Sequence, residues 1–129
     1  MNQTPHEHDE QKALMKWAEW ADKQLEKLKL LHAIPNGGQR NKVTAAKLKA
    51  EGVKPGVPDL SLPVARGKYH GLYIELKRRK GGRVSDEQKW WIVALKAEGY
   101  QAEVCHGFDE AKQVILDYLS LPATGPGKE

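Results

Sequence analysis

The order of its elements predicts that this chain folds as a mixed β-sheet flanked by helices, in a single α/β domain. Three observations carry that expectation. An apolar stripe at helical spacing fills the first thirty residues. Two segments that alternate apolar and polar side chains, 59–64 and 72–77, are joined by a glycine-bounded turn and read as a hairpin. A helical pattern from Ser85 then leads to another extended segment at 101–105. A hairpin places strands antiparallel, whereas a helical crossover returns the chain parallel, so the two together make a mixed sheet. A length of 129 residues suits one hydrophobic core. Residues 1–129 are therefore read as one domain, with a core over about 7–119 and a loose tail over 120–129.

The first helix is expected from Thr4 to Leu31, because Leu14, Trp17, Ala21, Leu25 and Leu28 recur three and four residues apart. Thr4 and Pro5 suit its cap and first turn, and Glu7 completes a capping box. Leu31-His32-Ala33-Ile34 reads as a short strand that Pro35-Asn36-Gly37-Gly38 stops. A second helix is expected from Asn41 to Glu51, ended by Gly52. Pro55-Gly56-Val57-Pro58 breaks the chain before the hairpin. In its second strand Leu72, Ile74 and Leu76 alternate with Tyr73, Glu75 and Lys77. Arg79-Lys80-Gly81-Gly82-Arg83 reads as a flexible basic loop. Ser85 opens a third helix with Ile92 and Leu95 on its core face, Gln101 to Cys105 forms a strand, and Asp109 caps a last helix through Leu119. Trp17, Trp20, Trp90 and Trp91 are expected to be buried. Trp90 and Trp91 are adjacent, however, and ~100° apart on a helix, so one of them is free for a dimer partner or an unpaired base.

Composition narrows the class. With 40% apolar and 29% charged residues the chain can bury a core. Its longest apolar run, Trp90 to Leu95, falls far short of the ~20 residues of a membrane span. The polar start does not resemble a signal peptide, and Cys105 reads as a buried strand thiol. A cytoplasmic protein is expected. The net charge of +4 permits a polyanionic partner. From Arg66 to Arg83 the basic residues are Arg66, Lys68, Lys77, Arg78, Arg79, Lys80 and Arg83, with Glu75 the one acid among them. Such a run is either a solvated loop or a phosphate contact. The five histidines show no zinc-ligand spacing, and His70 reads as a solvent residue.

Glu75 and Lys77 leave the same face of their strand, because side chains two apart on a strand do so. Alone they could be the solvent side of a sheet. Asp59 adds weight. It starts the first hairpin strand while Glu75 lies toward the end of the second, so the two acids meet in space, with Pro58 restricting the backbone before Asp59. Two oxygen ligands beside an ammonium group suit metal-assisted phosphodiester hydrolysis: the acids hold Mg²⁺ and the cation lowers the pKa of a bound water. Lys77 can orient that water, accept its proton if its own pKa is depressed, or stabilise the transition state.

Gly56-Val57-Pro58-Asp59, Ile74-Glu75-Leu76-Lys77 and Ser85-x-x-Gln88, in that order, resemble the VRR-NUC group of the PD-(D/E)XK nucleases. Ile34 to Gly38 and Leu48 to Gly56 are similar to stretches of small stand-alone phage and bacterial members, and the likeness runs from about Glu7 to Leu119. The resemblance implies a restriction-endonuclease-like fold and cleavage of DNA, often branched, flapped or a Holliday junction, as in repair and recombination. It also implies dependence on Mg²⁺ or Mn²⁺, and pairing as a homodimer. It makes Asp59 and Glu75 metal-binding acids, Leu76 a donor of its backbone carbonyl, and Lys77 the catalytic lysine. A helix-borne acid is expected at Glu7, with Glu10 the alternative. Gln88 is expected to hold water or phosphate, although Ser85 to Gln88 is also a capping box. Arg78, Arg79, Lys80 and Arg83 are candidates for DNA phosphate contact. No membrane and no nucleotide cofactor are expected. The rival readings are a non-catalytic nucleic-acid-binding module on the same fold, a nuclease of single strands or RNA, and an interaction protein with an incidental basic face.

Overall fold

The apolar stripe of the first helix does bury Leu14, Ala18 and Ala21, but α1 spans only Glu7–Ala21 in the computed structural model, which describes residues 6–35 and 42–127. The expected cap at Thr4 and Pro5 lies outside the described residues. His6 is the N-cap and makes no side-chain cap bond. The stripe's continuation is not α-helical: after a turn, Glu26–Leu30 winds as a 3-10 segment, with Leu28 buried and Leu25 exposed. The tighter winding brings both Leu28 and Leu31 into the core and hands the chain to the first strand, which a straight helix would not do. Spacing alone does not separate these two geometries.

Four strands form one sheet in the order β1 (His32–Ala33), β2 (Leu60–Leu62), β3 (Leu72–Lys77) and β4 (Gln101–His106). β1 and β2 are antiparallel, β2 and β3 are antiparallel with Leu60 opposite Ile74, and β3 and β4 are parallel. The predicted mixed sheet is therefore present. α2 (Lys42–Ala50) precedes the hairpin, and Gly52 follows it at φ +98; Asn36 to Gly38 of the expected turn, and Asn41, lie outside the described residues. α3 (Asp86–Ala97) is the crossover, and α4 (Phe108–Leu119) follows β4.

α1 and α4 pack on each other and on β3, so Leu14, Ala18, Ala111, Ile115 and Tyr118 meet Leu60, Leu62, Leu72, Ile74 and Leu76 in one core. Burying that many large apolar side chains, at roughly 1.5–3 kcal/mol each, is the main force holding the layers together. α3 lies on the other face against β4, and Ile92 and Leu95 are only half-buried there. Cys105 is buried in β4 as expected, and burial, followed by Glu103 and Glu110, pushes its thiol up to about 12.

Three expectations need correction. Asp109 does not cap α4: the N-cap is Gly107 at φ +92, and the Phe108 amide donates instead to Glu10 Oε1 of α1 at 3.1 Å. The tail is held through residue 123. Leu121 packs on the core, the Gly67 amide donates to the Pro122 carbonyl at 2.8 Å, and Ala123 bridges to Arg66. Trp20 and Trp90 are exposed, by 72% and 64%. Trp20 is six residues past Leu14, which puts it about 120° round α1 from that residue and off the buried stripe. Trp91 is half-buried, and Trp17 packs against the core's edge.

Candidate active site

β2 pairs with β3 only from Leu60 onward, so Asp59 stands just past the end of the ladder. Its carbonyl accepts from Ile34 N at 2.8 Å on one side, and its Oδ2 accepts from Leu76 N at 2.8 Å on the other. The side chain thus takes the place of a missing strand residue. Amide and carbonyl of one strand residue leave on the same edge, so the Leu76 carbonyl also points toward Asp59. Pro58 is fully buried, and Gly56 has φ +88. A Cβ on Gly56 would stand 2.6 Å from the Glu87 backbone carbon. That close approach needs glycine and locks the Asp59 loop against the first turn of α3.

Glu75 and Lys77 occupy the face of β3 turned to α3. They are not on a solvated face: Glu75 is 2% exposed and Lys77 5%. Lys77 Nζ lies 3.5 Å from Glu75 Oε2, and that oxygen also accepts from Gln88 Nε2 at 2.9 Å. Gln88 is fixed from its other end. Its Oε1 accepts from Ser85 N at 2.9 Å, and its own amide donates to Ser85 Oγ at 3.1 Å. The capping box and the contact with the acid therefore coexist. The box also sets the orientation of the Gln88 side chain, because a backbone N–H can only face the oxygen of the amide.

Glu75 Oε1 is buried and receives no donor among the described residues. Burial, and then the neighbouring Asp59 charge, raise Glu75 to about 8 despite Lys77. Asp59 is raised too, first by burial and further by Glu7, against the opposing pull of the Leu76 amide, Glu75 and Lys77. A buried acid held beside a half-buried one repels it when both are ionised, and a cation relieves that repulsion. The donor set is all oxygen, which fits Mg²⁺ or Mn²⁺. No cluster of three or more His, Cys, Asp or Glu side chains suited to a metal occurs among the described residues. A cation at Asp59 and Glu75 would thus complete its shell with backbone oxygen and water.

The two helix-borne acids differ. Glu7 is exposed at the start of α1, where its charge is felt by Asp59. Glu10 is 3% exposed and spent: it caps α4 through Phe108 and accepts from Arg79 Nε at 2.7 Å. Arg79 is accordingly a strut between the loop and α1 as well as a surface cation. Arg78 is half-buried, whereas Lys80 and Arg83 are exposed.

Sequence reading missed two residues. Gly82, which the sequence places in a flexible loop, lies on Lys77, where a Cβ would come within 2.8 Å of the lysine Cβ. His106, one of the five histidines without zinc-ligand spacing, is the register partner of Lys77. The signal available for His106 was its place at the end of the strand that follows the crossover.

A mixed sheet whose hairpin gathers two acids and a lysine, buttressed by a glutamine on the crossover helix, defines the class as a nuclease-type α/β domain. The VRR-NUC domain model matches residues 1–109, so the chain belongs to the VRR-NUC family, whose members are of nuclease type and act on DNA. A solved structure described as a VRR_NUC domain protein is similar throughout. It is 35% identical, with 95% of this chain and 94% of that one covered at a TM-score of 0.79. No match was found among functionally curated proteins.

Proposed function

We propose that this protein is a Mg²⁺- or Mn²⁺-dependent DNA endonuclease that cuts branched substrates such as flaps or Holliday junctions and works as a homodimer. The observation that carries the reading is the pair of the half-buried Asp59 and the buried Glu75, two acids of raised pKa beside the Lys77 ammonium group. Asp59, Glu75 and the Leu76 carbonyl would hold the cation, with Glu7 reaching it from α1. When bound, the cation supplies a water of lowered pKa and stabilises charge on phosphoryl oxygens. The chain supplies the rest. The Leu76 amide orients Asp59. Gln88 and Lys77 occupy Glu75 Oε2, which leaves Oε1 for the cation. Lys77, as an ammonium group, then positions the attacking water and offsets developing phosphoryl charge. Lys80 and Arg83 contact flanking phosphates without reading bases.

The test is incubation of labelled junction, flap, linear duplex, single-stranded DNA and RNA with Mg²⁺, Mn²⁺ or EDTA. Cleavage of the branched substrates with either metal and none in EDTA is expected. Metal-independent binding without cleavage of any substrate favours the non-catalytic module, and a preference for single strands or RNA favours that second reading.

The homodimer draws support from apolar side chains left uncovered: Val43 is 80% exposed, Trp90 64% and Val93 67%. None of the side chains described in α2 is buried. A stable interface needs ~800 Å² from each partner, and the exposed Trp90 and Val93, one turn apart on α3, are suited to its centre. Sedimentation should give a dimer for the wild type and a monomer for a Trp90→Glu, Val93→Glu variant of unchanged fold. A monomeric wild type at tens of micromolar would remove the dimer from the proposal.

A further inference from the structure

We infer that His106 is a DNA-contacting residue of the same site, presenting its Nε2 to a backbone phosphate of the bound strand beside Lys77. The inference rests on the nuclease reading above and extends it to a residue outside the acid–lysine motif.

Register is the first support. In the parallel β3–β4 pair Lys77 stands opposite His106 and Glu75 opposite Val104. Opposed residues of a sheet project to the same face, and neighbouring strands are ~4.8 Å apart. His106 thus shares the α3-side face with Glu75 and Lys77, while Cys105 goes to the core on the other side. Across the sheet the sequence of groups is Asp59, Glu75, Lys77, His106. A phosphodiester strand laid over the first three reaches the fourth.

The ring's hydrogen bonding is the second support. His106 Nδ1 lies 3.1 Å from the Arg78 carbonyl oxygen. A carbonyl can only accept, so the proton sits on Nδ1 and the bond fixes the plane of the ring. Nε2 is left directed away from that bond on a half-buried, solvent-accessible side chain. The backbone is held as firmly. His106 N donates to Glu110 Oε1 at 3.0 Å, and Gly107 N donates to the Lys77 carbonyl at 2.9 Å. A buried structural histidine would use both nitrogens; this one is anchored by one and offers the other. Near it stand Lys77, Arg78, Arg79 and Lys80, with Glu75 paired to Lys77, Glu10 paired to Arg79, and Asp109 and Glu110 in the first turn of α4, so Arg78 and Lys80 are the neighbouring cations with no ion pair among the described residues. Nε2 donates to a phosphate oxygen when the ring carries its second proton.

Two substitutions separate ligand from strut. In His106→Asn the side-chain amide nitrogen falls where Nδ1 was, so the bond to Arg78 is kept and the outward donor is lost. In His106→Gln the amide nitrogen falls near Nε2, so the outward donor is kept and the strut is lost. Fluorescence anisotropy of a labelled junction DNA, in EDTA and over a salt series, reads both. The Asn variant should bind roughly three- to tenfold more weakly, with the salt slope reduced by a little under one, as for one lost phosphate contact. The Gln variant should bind within about twofold of wild type. Under cleavage conditions the Asn change should raise KM and leave kcat nearly untouched, unlike a change at Lys77. Wild-type affinity in the Asn variant overturns the inference. If the Asn variant fails to fold, His106→Ala set beside the Gln variant decides: weaker binding by Ala than by Gln supports the contact, and equal binding overturns it. A wild type that binds none of the DNAs sinks the nuclease reading itself, whereas a binding wild type with an indifferent Asn variant sinks the His106 contact alone.

Discussion

Lys77→Met lowers kcat on the preferred DNA by about three orders of magnitude or more, while affinity for the same DNA in EDTA changes by only a fewfold. The ammonium group lies 3.5 Å from Glu75 Oε2 in a pocket where Lys77 is 5% exposed. A charge in so dry a place acts on the reacting centre with little screening, and its loss is felt mainly in the transition state. Methionine keeps the length of the stem and the packing under Gly82, so the melting temperature should stay close to that of wild type. Lys77→Arg should be nearly as inactive. Gly82 sits so close that a Cβ there would be 2.8 Å from the Lys77 Cβ, leaving little room for a planar guanidinium. Single-turnover rates at saturating Mg²⁺, set beside anisotropy in EDTA, check both variants. A Met variant that retains a tenth of wild-type kcat would show that Lys77 serves only to neutralise Glu75.

Much of this architecture was legible because the informative residues obey short-range rules. Alternation over Leu72 to Lys77 fixes a strand and its two faces, and the antiparallel return of a hairpin brings Asp59 to Glu75. Ser85 and Gln88 mark a helix start by their spacing alone. What escaped depended on contacts between distant segments. Glu10 caps α4 from α1, 98 residues away, and nothing near Phe108 in the sequence announces it. The burial of Glu75 and Lys77 is set by how closely α3 and the loop at Gly82 settle on the sheet, which periodicity does not encode. The end of α1 at Ala21 was hidden because Leu25 and Leu28 keep helical spacing after the helix has stopped. His106 stood apart for a similar reason: its partner is 29 positions earlier, and only the parallel register joins them.

Glu75→Gln should abolish cleavage and at the same time stabilise the metal-free protein above neutral pH. Burial and the Asp59 charge raise the Glu75 carboxyl from 4.5 to about 8. An acid whose pKa is higher folded than unfolded favours the native state while protonated. Its stabilising contribution is complete below about pH 4.5 and is lost as pH climbs through about 8, beyond which the native state bears the full cost of a buried, repelled carboxylate. At ~1.4 kcal/mol per pH unit, the effect amounts to a few kcal/mol, a large part of a small domain's stability. Glutamine is nearly isosteric and carries no charge. Its oxygen can still accept from Gln88 Nε2, and its amide can donate to Asp59. Metal-free wild type should therefore lose stability steadily from pH 5 to pH 8.5, whereas the Gln variant should be much flatter and melt roughly 5–15 °C higher at pH 8.5. Adding Mg²⁺ or Mn²⁺ should narrow that gap from the wild-type side only, and more at pH 8.5 than at pH 6, because the cation binds the ionised pair. Denaturant melts across pH, with and without metal, read all of this. Equal pH slopes for the two proteins would mean that Glu75 ionises in the native state at its ordinary pH, and the Asp59–Glu75 pair could then no longer support the proposal that this site takes a cation.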